Sequence, residues 1–208
     1  AAVVLDQPAA NVAVLKSLAE KRPGIAPVPC AFHAFDNLLG HLRDKITPVA
    51  RTCALSKKMT KFVSNQSRVR VALTKCIKRR VSNTSVESGR KVRARFFVKA
   101  RKTRAYPVYH TVKRCLQLSY TTALWFKSQE ARDLCGAHKH FPLMKAWGYT
   151  QRGKALKGMR LTVALFRPIL KKLRLVDSTC ASVCPQLLLH FADLRGQLTD
   201  AWVAANAD

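Results

Sequence analysis

The sequence predicts a mainly α fold, a helical body of about six or seven helices with one basic extended segment at about 90–104. Three observations lead there. Apolar residues recur at spacings of three and four over most of the chain. Gly and Pro number only eight and nine, and many of them fall between the periodic stretches. One stretch near the middle switches to period two instead.

Asp6 and Pro8 signal the start of a first helix running to about Glu20, and Arg22-Pro23-Gly24 ends it. Pro27 and Pro29 keep the following connector extended. Phe32, Phe35, Leu38, Leu39, Leu42 and Ile46 then mark the inner face of a second helix. Thr47-Pro48 reads as N-cap and first residue of a third, with Val49, Cys53, Met59, Phe62 and Val63 inward. Ser64-Asn65-Gln66-Ser67 interrupts this period, and Val69, Leu73, Cys76, Ile77 and Val81 resume it.

Residues 82–89, Ser-Asn-Thr-Ser-Val-Glu-Ser-Gly, read as a linker. From Lys91 to Arg101 apolar and basic residues alternate, which predicts a strand or an extended arm with one basic edge. A long helix is expected over 108–135, with Val112, Cys115, Leu116, Tyr120, Ala123 and Leu124 inward and Gly136 as its stop. A helix over 156–175 is kinked or divided by Pro168, and a last one from near Pro185 turns Leu187, Leu188, Phe191, Leu194, Leu198 and Trp202 inward. The resulting organisation is an N-terminal helical region (1–81), a linker with a basic arm (82–105), and a C-terminal helical region (106–208) packed with the first.

Charge narrows the class of partner. The 38 Lys and Arg face only 11 Asp and Glu, a net +27. Residues 1–46 carry five basic and four acidic side chains, and 177–208 carry Arg195 against four Asp. Residues 47–176 carry 32 basic side chains against Glu87, Glu130 and Asp133. A solvated helix face normally mixes signs. This middle cannot, so its cations must be answered by phosphates, an acidic partner or anionic lipid. Apolar residues make up 48% of the chain and run through this region too, so it also supplies a core, which excludes a disordered polycation.

The longest uncharged runs are 178–192 and 23–35, too short and too interrupted for a spanning helix. The seven cysteines, Cys30, Cys53, Cys76, Cys115, Cys135, Cys180 and Cys184, are odd in number and contain no Cys-x-x-Cys pair. A disulfide framework is therefore not expected and a reducing compartment is. An opening on Ala1 fits either a processed mature form, as import into an organelle would give, or a chain trimmed at its start. Together these point towards the mitochondrial matrix, with the cytoplasm or another organelle as alternatives.

The densest motif is 90–104, in which Arg90, Lys91, Arg93, Arg95, Lys99, Arg101, Lys102 and Arg104 are eight basic residues of fifteen. Guanidinium groups fork onto phosphate oxygens, and Phe96 or Phe97 is placed to stack on an unpaired base or to anchor the arm; Phe97 is assigned to the RNA. Lys75, Lys78, Arg79 and Arg80 form a second cluster on a helix. Arg152, Lys154, Lys157 and Arg160 form a third, among Gly148, Gly153 and Gly158, whose small size would let backbone amides approach phosphate.

Catalysis is not expected: the chain has three Glu, and no His lies near an acid in a way that singles out a triad. No small-molecule substrate or cofactor is implied, for neither GxxxxGK[ST] nor GxGxxG occurs. Cys135, His138 and His140 offer metal-type donors, but no second ligand pair accompanies them and no metal is expected.

Helix-turn-helix, zinc-finger and RNP1 patterns are missing from the sequence. In composition the chain resembles ribosomal proteins, whose charge is interleaved with core-forming residues. That resemblance implies a structural protein docked on rRNA through its basic middle, with neighbouring ribosomal proteins contacted by the near-neutral termini. The competing expectation is an accessory subunit of a respiratory membrane complex, bound to acidic subunits or cardiolipin. An RNA-modifying enzyme is a third, without a convergent acidic pocket to support it.

Overall fold

The computed structural model describes residues 2–5, 9–24, 26–88, 96–98, 106–142, 153–178 and 187–206. The fold is mainly α. Among the described residues the elements are β1 (Ala2–Leu5), α1 (Ala9–Lys21), β2 (Ala26–Pro29), α2 (Ala31–Lys45), α3 (Thr47–Asn65), α4 (Ser67–Ser88), α5 (Tyr106–Lys127), α6 (Gln129–Cys135), α7 (Lys154–Ser178) and α8 (Leu187–Asn206).

The N-terminal segment forms a small βαβ unit. β1 and β2 pair in parallel, with Ala2 opposite Ala26 and Leu5 opposite Pro29, and α1 makes the crossover that parallel strands require. The connector expected at Pro27 and Pro29 is thus extended but also paired. Both prolines lack an N–H, which suits a strand with a free edge.

Packing starts at α2. Phe35 and Leu39 are fully buried, and Phe32, Leu38, Leu42 and Ile46 pack at the margin of the same core. Ile46 is extended and its N–H bonds to Leu42 O at 3.2 Å, so it caps both α2 and α3. Thr47 is therefore already helical rather than the expected N-cap, with Pro48 in the first turn where its missing N–H costs nothing. α3 buries Val49, Cys53, Met59, Phe62 and Val63, the residues its spacing predicts. Gln66, at φ −105° and ψ 95°, then breaks the helix at the polar interruption.

Two boundaries differ from expectation. α4 continues through 82–88, so the linker read there is helical. Its Ser, Asn and Thr are weak formers, but neither Gly nor Pro occurs between Ser67 and Ser88, and extending a formed helix is cheap. The single helix expected over 108–135 is two, because Ser128 is extended and acts as an N-cap. Its Oγ accepts from Ala131 N at 3.3 Å and donates to Trp125 O at 2.6 Å, while Trp125 Nε1 donates to Glu130 at 2.8 Å. Gly136 ends α6 as expected, but in right-handed backbone.

α7 occupies the centre, touching α2, α3, α5 and α8. Pro168 lies buried inside it without dividing it. Its inner face carries Leu165, Phe166, Ile169 and Leu173. The α3–α7 crossing is close because Gly158 has no side chain: a Cβ there would run into Thr52 Oγ1. Beside it, α3 offers α5 small polar side chains, with Cys115 Sγ 3.7 Å from Thr60 Oγ1. One hydrophobic cluster joins Phe35 and Val49 to Val112, Phe126 and Phe166, so α2 and α3 share a core with α5 and α7.

Candidate nucleic-acid interface

Three helices turn an apolar face inward and a cationic face outward. Successive residues of a helix are rotated by about 100°, so spacings of three, four and seven share a face. On α4, Arg68, Lys75 and Arg79 form such a stripe and Lys78 lies beside it, while Arg70, three residues from Leu73 and seven from Ile77, borders the buried face; all five are exposed. The buried Val69, Leu73 and Ile77 occupy the opposite side. On α7, Arg160, Arg167, Lys171 and Arg174 are exposed and aligned, and with Lys157 the stripe extends for about 25 Å. On α3, Arg51, Lys58 and Lys61 are exposed opposite Cys53, Met59 and Val63.

Few carboxylates answer these faces; one that does is Glu130 of α6, which lines a shallow hollow together with Arg68 and Lys75 of α4. α3 contains no acid, α4 only Glu87 and α7 only Asp177. Among the described residues, ion pairs join Arg43 to Asp44 at 2.7 Å and Lys172 to Asp193 at 2.5 Å, and neither pair belongs to a stripe. The Arg43 guanidinium lowers the pKa of Asp44, first by hydrogen bonding and then by charge, with Lys57 and His41 adding to the effect.

The residues expected from the sequence divide into three groups. Lys75, Lys78 and Arg79 on α4, and Lys154, Lys157 and Arg160 in the first turns of α7, are exposed. Arg80 is exposed too, but its guanidinium lies over the Tyr120 ring of α5, 4.0 Å from the centroid. This cation–π contact ties α4 to α5. Arg90, Lys91, Arg93, Arg95, Lys99, Arg101, Lys102, Arg104 and Arg152 lie outside the described residues. Phe97 is half-buried and packs against the core, whereas Phe96 is 38% exposed, so the two rings have separate tasks. Residues 96–98 are irregular, and Thr111 Oγ1 donates to Val98 O at 3.0 Å, fastening them to α5.

No known family, curated protein or solved structure matches the chain.

Two features are not legible as sites in the sequence. The cations Arg167, Lys171 and Arg174 are spread at spacings of four and three, a signal visible only once the helix is laid out as a wheel. A tertiary cluster also forms where α5 meets α7. His110, which desolvation and then Arg174, Lys113 and Arg114 hold below its ordinary pKa, marks the meeting point of these cations. Lys113 also sits 5.6 Å from the Tyr109 ring centroid.

Gly158 does not open backbone to phosphate as expected; it is buried against Thr52. Gly153 O instead accepts from Leu156 N at 3.1 Å, beginning α7. Cys135 is buried and its thiol donates to Ala131 O at 3.0 Å, while His138 packs edge-on against Phe62. Burial pushes the thiols of Cys53, Cys115 and Cys135 up to about 11, which leaves them protonated and poor as nucleophiles or ligands.

Proposed function

We propose that this chain is a structural RNA-binding protein of a large ribonucleoprotein, a ribosomal protein that docks on rRNA through its basic middle region. One observation carries the reading: α3, α4 and α7 present outward faces of Lys and Arg with almost no acids, opposite faces that build the core. Such faces repel one another until phosphates neutralise them, so the RNA completes the electrostatics of the fold. The role is non-enzymatic. Neighbouring proteins meet the near-neutral termini, where α8 exposes Leu189, Trp202 and Val203. The mitochondrial matrix is the proposed compartment, on the basis of the cysteine usage.

Sedimentation of the tagged chain from gently lysed cells, with and without RNase, tests this. Comigration with ribosomal particles that disappears on RNA digestion is expected. Migration with a detergent-solubilised membrane complex, unchanged by RNase, would overturn the reading in favour of a respiratory-complex subunit.

A further inference from the structure

Beneath Phe96 lies a groove of about 340 Å³, walled by the last turn of α3, by α4 and by the 96–98 segment. Its apolar surface comes from Val63, Leu73, Ile77 and the two phenylalanines. Arg70 and Lys78 stand among its walls, and among the described residues no carboxylate does. We infer that this groove takes one unpaired nucleobase of single-stranded RNA, stacked on Phe96, with the adjoining phosphate held by Arg70 and Lys78. The inference rests on the RNA-binding reading and names the form of RNA this part of the surface receives.

The two rings make the assignment. Phe97 is half-buried and packs against the core, while Phe96 keeps more than a third of its surface in water beside the apolar groove. The Thr111–Val98 hydrogen bond holds the segment that carries both. An aromatic face next to paired cations matches a nucleotide, which is flat and apolar at the base and anionic at the phosphate. Bases stacked inside a duplex cannot enter such a groove, so the occupant is a loop, bulge or free strand.

Equilibrium binding of the full chain separates this from the general reading. The probes are a short single-stranded oligoribonucleotide, the same oligomer lacking its bases, and a duplex of equal length. Stacking on an aromatic is worth about 1–3 kcal/mol per base, so Phe96→Ala should weaken single-strand binding by about five- to 150-fold. Affinity for the baseless oligomer and the duplex should stay within about twofold, and Phe96→Tyr should restore the single-strand value. Arg70→Gln with Lys78→Gln should weaken both single-stranded probes and lower the log–log salt slope by about 1.4. Unchanged single-strand affinity in Phe96→Ala, or equal losses on all three probes, overturns the base slot while leaving phosphate docking intact. A wild-type chain that binds none of the probes overturns both.

Discussion

α4 and α5 are both 22 residues long, yet they are held in place by different things. α5 has only three cations, Lys113, Arg114 and Lys127, and buries residues on nearly every side, from Val108 to Phe126. α4 has six cations and buries one narrow face, with Val69, Ala72, Leu73 and Ile77 its fully buried apolar residues. Burial of apolar surface answers for α5. On α4 the same force acts on one side only, while like charges at i,i+3 and i,i+4 work against it. The described core of this protein closes within one chain; on the proposed reading, phosphate answers the outer face of α4.

The largest effect should come from breaking the inside. Phe126→Ala removes a fully buried ring that meets Phe62, Trp125 and Phe141, at a cost of about 3–5 kcal/mol. Thermal or urea unfolding reads that loss, and RNA should not be needed to see it. Next, Gly158→Ala drives a Cβ into Thr52 Oγ1 where α3 and α7 cross, costing about 1–3 kcal/mol. Thr52→Ala in the same chain should recover part of it, so a double-mutant cycle with no coupling would refute the close approach.

Neutralising the outside should have the opposite sign. Lys75, Lys78 and Arg79 lie three and four residues apart. Changing all three to Gln should stabilise the free protein at low salt by about 0.2–0.5 kcal/mol per relieved pair. That gain should vanish at high salt, where repulsion is screened.

The smallest effect is a pH dependence at His110. Its folded pKa is depressed by burial and by Arg174, Lys113 and Arg114, so the unfolded chain takes up the proton first as pH falls below about 6.5. Stability is therefore intact above that value and declines below it until the folded pKa is passed. Urea midpoints across pH 5 to 7.5 should show this in wild type and less of it in His110→Gln.

Local patterns carry most of the fold and little of its long-range detail. The inner faces of α2 and α3 are legible because each packs on one side, which makes the 3.6-residue period plain. α5 misleads for the converse reason. Its spacing turns Tyr120 and Leu124 inward, yet both are about half exposed, while Trp125 and Phe126 are buried. A helix enclosed on several sides has apolar residues all round, and its period loses its phase. Trp202, also expected inward, is exposed on α8. The β1–β2 pairing joins segments more than twenty residues apart, and no short-range signal announces it. For the interface, runs such as Lys78-Arg79-Arg80 are conspicuous, yet one of them, Arg80, is partly occupied by Tyr120. The α7 stripe and the His110 cluster escape a linear reading because helix geometry and a tertiary crossing assemble them.

The salt dependence of RNA affinity tests the central claim most directly, measured for the wild-type chain and for the Lys75→Gln, Lys78→Gln, Arg79→Gln triple variant. If these side chains bind phosphates of a single strand, the log–log slope should be steep and should fall by about 2 in the variant, roughly 0.7 for each phosphate no longer neutralised. A slope unchanged by the three substitutions, in a variant that still folds, would contradict the assignment of α4's outer face to RNA.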